Sequence, residues 1–308
     1  MIKAISPVLI ILLLVAVGYF FGAKKWMVVE HKRFLEKFLI NLAIPCTCIN
    51  GFVRDLSMDI LKGSWKIILV SFVGIIICTA VSAAIAKLIR LPRLRVGVFI
   101  AMGGISNVLF VGFPVITELL GVSSLVYAML FLVANSPMSF ILCYAILPWS
   151  SQGEFKFGLS QIRKIFLNPP IVGIAFGILL VVFGITLPTP IGRTIEYLGG
   201  TVSPLALFYC GFIIYESGIK SIRFDRGMVA MLGIRFVFAT FVAYLLCLAF
   251  GLNAPVSSVI IVEMAMPVMT TLVVLAKEFD ADAEYAARGV VLSTLACFVV
   301  IPVLALIL

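Results

Sequence analysis

Charged side chains are scarce in this 308-residue chain: Asp, Glu, Lys and Arg make up 12% of it, whereas hydrophobic residues make up 63%. A soluble globular domain has about 25% charged and about 45–50% apolar residues. The composition therefore excludes a water-solvated surface over most of the chain. The apolar runs continue to Leu308, which excludes a secretory signal followed by a soluble domain.

Residues that bind metals or carry out enzyme chemistry are also few. The chain has one histidine, His31, and no HExxH motif, GxSxG motif or pair of intramembrane aspartates, so we expect no enzyme, metal site or cofactor. All seven cysteines lie in apolar segments and are expected to be small core side chains. The net charge of +9 comes from basic residues in short loops, which is typical of membrane orientation and not of nucleic-acid binding.

Long apolar runs are what the chain has in abundance. A membrane-spanning helix needs about 20 predominantly apolar residues. On that rule the sequence predicts an all-α polytopic membrane protein with ten spans, at about residues 5–23, 34–53, 65–88, 96–119, 122–147, 169–187, 195–217, 228–250, 254–277 and 285–307.

The basic residues predict the orientation of these spans. Seventeen lysines and arginines lie in loops that follow odd-numbered spans, and five lie on the opposite side. Because cytoplasmic loops carry the excess of basic residues, both termini are expected outside the cytoplasm, with the chain in the cell (inner or plasma) membrane.

The prolines indicate an internal repeat. Three pairs occupy corresponding spans at separations of 159, 153 and 162 residues: Pro45 with Pro204, Pro114 with Pro267, and Pro7 with Pro169. We therefore expect residues 1–150 and 151–308 to form two five-span repeats, inverted relative to each other because five is odd. The alternative is that proline is simply common in membrane helices.

Two prolines should interrupt their spans. Proline removes a backbone donor, and non-helical backbone survives within a membrane only where protein or a water-filled cavity covers it. We therefore expect span 4 to break at Gly112-Phe113-Pro114 and span 9 at Met266-Pro267. If the breaks cross, the positive N-terminal ends of two half-helices meet near the bilayer centre and can bind an anion.

Polar side chains cluster near these prolines. Ser106 and Asn107 precede Pro114, and Asn135 lies in the middle of span 5. Asn41 precedes Pro45 in span 2, and this pair forms a secondary candidate. An asparagine amide can both donate to a carboxylate and accept from a hydroxyl, so these residues are candidate substrate ligands. The alternative is hydrogen bonding between helices.

Two ionisable residues lie inside spans: Glu263, one turn before Pro267, and Arg235 in span 8. Such groups are costly and are candidates for function. Three interpretations remain open: a structural ion pair between them (with Glu216 as a competing partner for Arg235), substrate or proton coupling through Glu263, or neither.

At these residues the chain resembles the auxin efflux carrier family, which includes plant PIN carriers and short bacterial members. The stretch Asn107-Val-Leu-Phe-Val-Gly-Phe-Pro114-Val is similar to the family's Asn-Thr-x-x-x-Gly-x-Pro-Leu. The stretch from Pro267 to Ala276-Lys277-Glu278-Phe279 resembles Pro-x-x-x-Ala-Lys-Glu-Tyr, with two extra residues. Weaker matches lie at Asn41 to Pro45, Asn168 to Pro170 and Ser203 to Leu207.

The resemblance implies ten helices in two inverted repeats, as in the bile-acid symporters. Spans 1, 2, 6 and 7 would form a scaffold, and spans 3–5 with 8–10 a crossover domain that moves as an elevator. It implies transport of organic anions, with Asn107, Pro114 and Pro267 at the crossover and Asn135 where plant members have a glutamine. The chain lacks the long hydrophilic loop of many plant carriers, and Glu263 departs from their pattern.

The sequence thus predicts a secondary transporter for a small mono- or dicarboxylate, auxin-like or malonate- and malate-like, in contact with membrane lipid. Its expected substrate-binding residues are Ser106, Asn107, Gly112, Pro114, Asn135 and Pro267. Coupling to H⁺ or Na⁺ and a homodimer through the scaffold helices are left open. The alternatives are a sodium-coupled symporter of bulkier amphipathic acids and, outside transport, a receptor or channel.

Overall fold

The computed structural model describes residues 2–151, 158, 163, 165–218 and 223–307, with side chains from residue 6 to residue 306. Regular structure within these ranges is helical, apart from one isolated antiparallel bridge between Ser106 and Val268. Lys156, Lys164 and Lys220, which contribute to the predicted orientation, lie outside the described residues.

The described helices of the first half are α1 (Ile2–Ala23), α2 (Val29–Phe38), α3 (Ile44–Asp55), α4 (Met58–Leu88), α5 (Arg93–Gly104), α6 (Phe113–Leu120) and α7 (Leu125–Ser151). Those of the second half are α8 (Pro169–Val182), α9 (Thr189–Gly200), α10 (Val202–Ser217), α11 (Arg226–Gly233), α12 (Ala239–Ala249), α13 (Val256–Met264), α14 (Leu272–Glu278) and α15 (Ala283–Ile307). Short π-helical segments at Leu39–Ala43, Val108–Gly112 and Ile234–Phe238 connect α2 to α3, precede α6, and connect α11 to α12.

Six continuous helical segments of the described chain are long and apolar enough to cross a membrane: Ser6–Ala23, Met58–Leu88, Val122–Ser151, Thr189–Ser217, Arg226–Ala249 and Ala283–Leu306. They coincide with predicted spans 1, 3, 5, 7, 8 and 10. The shorter apolar helices Val108–Leu120 and Pro169–Val182 fall within predicted spans 4 and 6. The chain is therefore a multi-pass membrane protein. Its ten-span inverted repeat stays a prediction, because spans 2, 4, 6 and 9 lack a continuous helix of that length and apolarity.

The helices pack in two groups. In the first, α1 runs along α10, and α3 packs against α8 and α9; with α2, we call these helices the scaffold group. In the second, α4, α5 and α7 pack on one another, α12 packs on α13 and α4, and α14 packs on α15. With α6 and α11, these form the crossover group. The two groups contact each other at several places: the segment Val108–Leu120 contacts α1 and α10, α15 contacts α1 and α10, and α7 contacts α3.

The prediction that span 4 breaks at Gly112-Phe113-Pro114 is wrong. The helix stops at Gly104 and resumes as a π-helical turn at Val108, so the break lies at residues 105–107. Pro114 instead lies in the first turn of α6, where its missing N–H costs little because the turn before it is widened. The carbonyl of Phe110, four residues before the proline, accepts a hydrogen bond from Cys210 Sγ at 3.7 Å.

Candidate functional site at the two helix breaks

The breaks in spans 4 and 9 are joined to each other by their backbones. The second break runs from residue 265 to residue 271 between α13 and α14, so Met266-Pro267 interrupts span 9 as predicted. The N–H of Asn107 donates to the oxygen of Pro267 at 2.9 Å, next to the bridge between Ser106 and Val268. Backbone groups of one break thus form hydrogen bonds with backbone groups of the other, in place of bonds that each helix has lost. Pairing of this kind lets irregular backbone persist inside a membrane protein.

Arg235 forms hydrogen bonds at both breaks. Its side chain is 1% exposed, and its Nε donates to the oxygen of Met266 at 2.7 Å. One terminal nitrogen donates to the oxygen of Gly103 at 3.0 Å, and the other donates to Ser106 Oγ. The guanidinium group therefore satisfies carbonyls at the ends of two interrupted helices, a task for which its planar array of donors is suited.

Asn135 of α7 also forms hydrogen bonds at the first break. Its Nδ2 donates to the oxygen of Ser106 at 3.2 Å, and its Oδ1 accepts from the N–H of Ser106 at 3.3 Å. Both atoms of the amide are thus used by one backbone residue. The sequence predicts Asn135 as a substrate ligand; the residue lines the cavity beside the breaks, and its amide is hydrogen-bonded to the Ser106 backbone.

A cavity of about 330 Å³ lies beside the two breaks. Among the described residues, those that line it come from both groups of helices: Glu36, Ile40 and Asn168 from the scaffold group, and Ser106, Asn107, Val108, Leu109, Phe110, Leu132, Asn135, Ser136, Ser139, Phe140, Met269, Thr270, Thr271, Val274 and Leu275 from the crossover group. Such a volume is at the small end of ligand pockets, which range over about 300–1,000 Å³.

Two polar atoms at this cavity are buried without a hydrogen-bond partner. They are Nδ2 of Asn107, a residue that is 2% exposed, and Oγ1 of Thr270, which is 9% exposed. Leaving a buried donor unsatisfied costs about 1–3 kcal/mol. Both residues line the cavity, so these two atoms are candidate hydrogen-bonding groups for a ligand there.

The cavity also contains the start of the helical segment Val108–Leu120. Val108, Leu109 and Phe110 form its first turn and line the cavity. The N–H groups of a first turn have no acceptor within their own helix, and the helix dipole adds a positive potential there. Backbone donors and the Asn107 amide are therefore available to the same ligand.

Glu263 lies behind the break rather than in the cavity. It is fully buried, and neither carboxyl oxygen has a hydrogen-bond partner. Its carboxyl group packs on Gly112, where a Cβ atom would lie 2.7 Å from Oε1. The predicted ion pair with Arg235 is not formed, because the donors of Arg235 are directed at Met266, Gly103 and Ser106. Glu216, the competing partner, is paired with Lys32 at 2.5 Å instead.

The other predicted site residues do not line the cavity. Gly112, Pro114 and Pro267 belong to the two interrupted spans but lie outside the lining. Asn41 is exposed, and its side chain donates to the oxygen of Lys37 at 2.8 Å. Pro45 packs on Gly173 of α8, where a Cβ atom would lie 2.8 Å from the proline's backbone oxygen.

Several lining residues were missed from the sequence. Thr270 and Thr271 follow Pro267 by three and four residues, and their hydroxyl groups in a predicted break are a signal that could have found them. Ser136, Ser139 and Asn168 looked like ordinary helix residues or a helix start. Glu36 was hidden among basic residues near the end of α2.

A larger groove of about 680 Å³ lies between α12, α13 and α15. Its lining is almost wholly apolar and includes Val237 and Val299, which are 71% and 70% exposed. Side chains of this kind on membrane helices face lipid. The smaller cavity at the breaks is therefore the candidate site.

Known proteins similar to this chain are membrane transporters. A family model described as "Membrane transport protein" matches residues 3–305. An uncharacterized transporter of Methanocaldococcus jannaschii is 25% identical over 93% of each chain, and one of Methanothermobacter thermautotrophicus is 28% identical over 98% of each. The uncharacterized transporter YfdV of Escherichia coli is 21% identical over 96% of this chain and 94% of its own. The chain therefore belongs to the membrane transport protein family of the auxin efflux carriers, as its motifs predict.

Proposed function

We propose that this protein is a secondary carrier that moves a small organic anion with a carboxylate group across the membrane by alternating access. The observation that carries this proposal is the unpartnered Nδ2 of Asn107, buried at a cavity beside two joined helix breaks. A carboxylate oxygen can accept from Nδ2, from Thr270 Oγ1 and from the N–H groups of the turn that begins at Val108.

Arg235 favours an anion at the same place. Its guanidinium is buried, and its three hydrogen bonds go to neutral acceptors. A buried charge is costly unless it is compensated, and no described acid forms an ion pair with it. Because Ser106 lies between Arg235 and the cavity, an anion bound beside Ser106 would offset part of that charge.

The size of the cavity favours a small acid. About 330 Å³ is room for a short mono- or dicarboxylate, whereas bulky amphipathic acids need pockets from the upper part of the range for ligand sites. This supports a small-carboxylate carrier over a symporter of the bile-acid type.

Alternating access would come from relative movement of the two groups of helices. The cavity lies between them: Glu36, Ile40 and Asn168 come from the scaffold group, and the rest of the lining comes from the crossover group. A shift of the crossover group along the scaffold would carry the breaks and a bound anion towards the other side of the membrane. The ten-span arrangement of two inverted repeats would give this movement two equivalent end states.

Glu263 is a candidate for coupling to protons. A charged carboxylate with no partner is expensive in a protein interior, and Glu263 is fully buried with both oxygens unpaired. The neutral acid suits this packing, whereas an arrangement that opens the contact with Gly112 to water would suit the anion. Transport that alternates between the two arrangements would then carry a proton with the substrate.

The test is binding to the purified protein in detergent, followed by uptake into proteoliposomes. Asn107→Ala should weaken binding of a labelled short carboxylate about tenfold or more, since one charge-assisted hydrogen bond is worth about 1.5–3 kcal/mol. The matched control is Asn253→Ala, at an exposed loop position, which should leave affinity unchanged. Unchanged affinity in Asn107→Ala, with normal folding, would overturn the site. Absence of counterflow in liposomes would overturn the carrier.

A further inference from the structure

The cavity at the breaks has one charged side chain in its described lining, and that side chain is acidic. Glu36 lines the cavity from α2 of the scaffold group. The other polar lining groups are neutral hydroxyl and amide groups. A site built only for a carboxylate would be expected to contain a cation rather than a second anion.

Glu36 is not neutralised by its neighbours. Lys32, one turn earlier on the same helix, is paired with Glu216 at 2.5 Å. Arg33 and Lys37 are exposed, and no described basic side chain forms an ion pair with Glu36. The Glu36 carboxylate is therefore available to pair with a ligand in the cavity.

A tyrosine near Glu36 packs on the first break. Tyr209, on α10 of the scaffold group, lies near Glu36. The Tyr209 ring stacks on Phe110, with ring centroids 4.9 Å apart and an interplanar angle of 23°. Phe110 itself lines the cavity. Through the Tyr209–Phe110 contact, the scaffold side of the cavity packs directly on the first helix break.

The two walls of the cavity consequently differ in charge. On the crossover side are Arg235 behind Ser106, the free Asn107 amide and the start of a helix, all of which favour negative charge. On the scaffold side is the carboxylate of Glu36. A ligand that spans both walls is stabilised if it is negative at one end and positive, or at least a hydrogen-bond donor, at the other.

We propose that the substrate is bipolar, a short carboxylate with an ammonium or other donor group that Glu36 receives, and that Glu36 selects against dicarboxylates. This inference rests on the proposed function, because it assumes that a carboxylate binds at the breaks. It narrows the substrate class: a second carboxylate would face Glu36, and like charges brought together at a binding site cost several-fold to many-fold in affinity.

The test uses acids matched in length. The three-carbon set is 3-aminopropionate, propionate and malonate, the four-carbon set is 4-aminobutyrate, butyrate and succinate, and the five-carbon set is 5-aminovalerate, valerate and glutarate. Affinities are measured by calorimetry on the purified full-length protein. In at least one set the amino acid should bind about tenfold tighter than the dicarboxylate, with the simple acid between them.

The variant Glu36→Gln should remove most of that difference, by weakening the amino acid and strengthening the dicarboxylate. Glu36→Asp, which keeps the charge, should retain the order. Glu30→Gln is the matched control, because Glu30 is exposed on the same helix and does not line the cavity. Its affinities should equal those of the wild type.

The outcomes separate the inference from the proposed function. If dicarboxylates bind as well as amino acids at every length, or if the preference survives in Glu36→Gln, the bipolar-substrate inference is overturned while the carboxylate site stands. If none of the nine acids binds, or if Asn107→Ala leaves their affinities unchanged, the carboxylate site itself is overturned, and the inference with it.

Discussion

Arg235 Nε donates a hydrogen bond of 2.7 Å to the backbone oxygen of Met266, which joins a side chain of span 8 to the break in span 9. The same guanidinium also binds Gly103 and Ser106 at the other break. One buried cation thus fixes the relative position of two irregular segments. Arg235 does not line the cavity, so we expect it to act on the cavity through these two segments.

We expect Arg235→Lys to weaken both the fold and substrate binding. Lysine keeps the charge but lacks the planar array that reaches three acceptors, and each lost hydrogen bond to a charged group costs about 1.5–3 kcal/mol. Thermal unfolding of the purified protein should show a lower midpoint, and carboxylate affinity should fall about tenfold or more. The control is Arg193→Lys, at an exposed position of α9. If Arg235→Lys bound the carboxylate with wild-type affinity, the hydrogen bonds of Arg235 would not be what shapes the site.

We expect Glu263→Gln to uncouple transport from protons. Glutamine resembles the neutral acid in shape and cannot release a proton, so the buried packing against Gly112 should persist. Uptake into proteoliposomes should continue, while its dependence on an imposed pH gradient should be lost.

The control for this experiment is Glu118→Gln. Glu118 lies in α6, outside the cavity at the breaks, and its replacement should leave the gradient dependence intact. A pH-gradient dependence that persists in Glu263→Gln would contradict the proton role. Uptake by the wild-type protein that does not depend on the pH gradient would also contradict it. Glu263 would then be a packing residue.

The sequence predicted much of this arrangement because its strongest signals are local. Apolar length located the spans, since lipid imposes that length on any helix that crosses it. Proline located the break at Met266-Pro267. The polar pair Ser106-Asn107 was singled out because polar groups are costly in such a segment, and both residues line the cavity.

What could not be predicted depends on distant contacts. The first break lies at residues 105–107, directly after the glycine pair Gly103-Gly104, and its position depends on Arg235, Asn135 and Pro267, which satisfy the backbone there. The same contacts explain why the ion pair between Arg235 and Glu263 was a wrong alternative: the arginine gains several backbone and hydroxyl acceptors in place of one carboxylate. Glu36 became a candidate only when its helix was found beside the cavity.

Gly112 is expected to accommodate a side chain only if the carboxyl group of Glu263 moves. A Cβ atom there would overlap Oε2 of Glu263 and lie 2.7 Å from Oε1. Gly112→Ala should therefore lower the free energy of unfolding by about 1–3 kcal/mol, as overpacking of a core does. The contact is tested with a double variant: Gly112→Ala with Glu263→Asp, whose shorter side chain leaves room, should be more stable than the two single effects predict. Strict additivity would show that the carboxyl group does not limit this position.

The scaffold group should depend on backbone contact between α1 and α10. A Cβ atom at Gly18 would overlap the backbone oxygen of Phe208, and one at Gly211 would overlap that of Val15. Small residues let membrane helices approach in this way, where packing is the main attraction between them. Because backbone atoms within a helix cannot move aside, Gly18→Ala should lower the unfolding midpoint by an amount that corresponds to about 1–3 kcal/mol.

Gly63→Ala is the matched control for Gly18→Ala. Gly63 lies in α4, where a Cβ atom would have no neighbouring atom within 4 Å among the described residues. Alanine is the better helix former by about 1 kcal/mol, so this variant should unfold at the same temperature as the wild type or higher. Carboxylate affinity of the folded fraction should be unchanged in both variants, since neither glycine lines the cavity. A loss of affinity in Gly18→Ala that exceeds its loss of folded protein would contradict this expectation, because it would mean that the α1–α10 contact shapes the binding site.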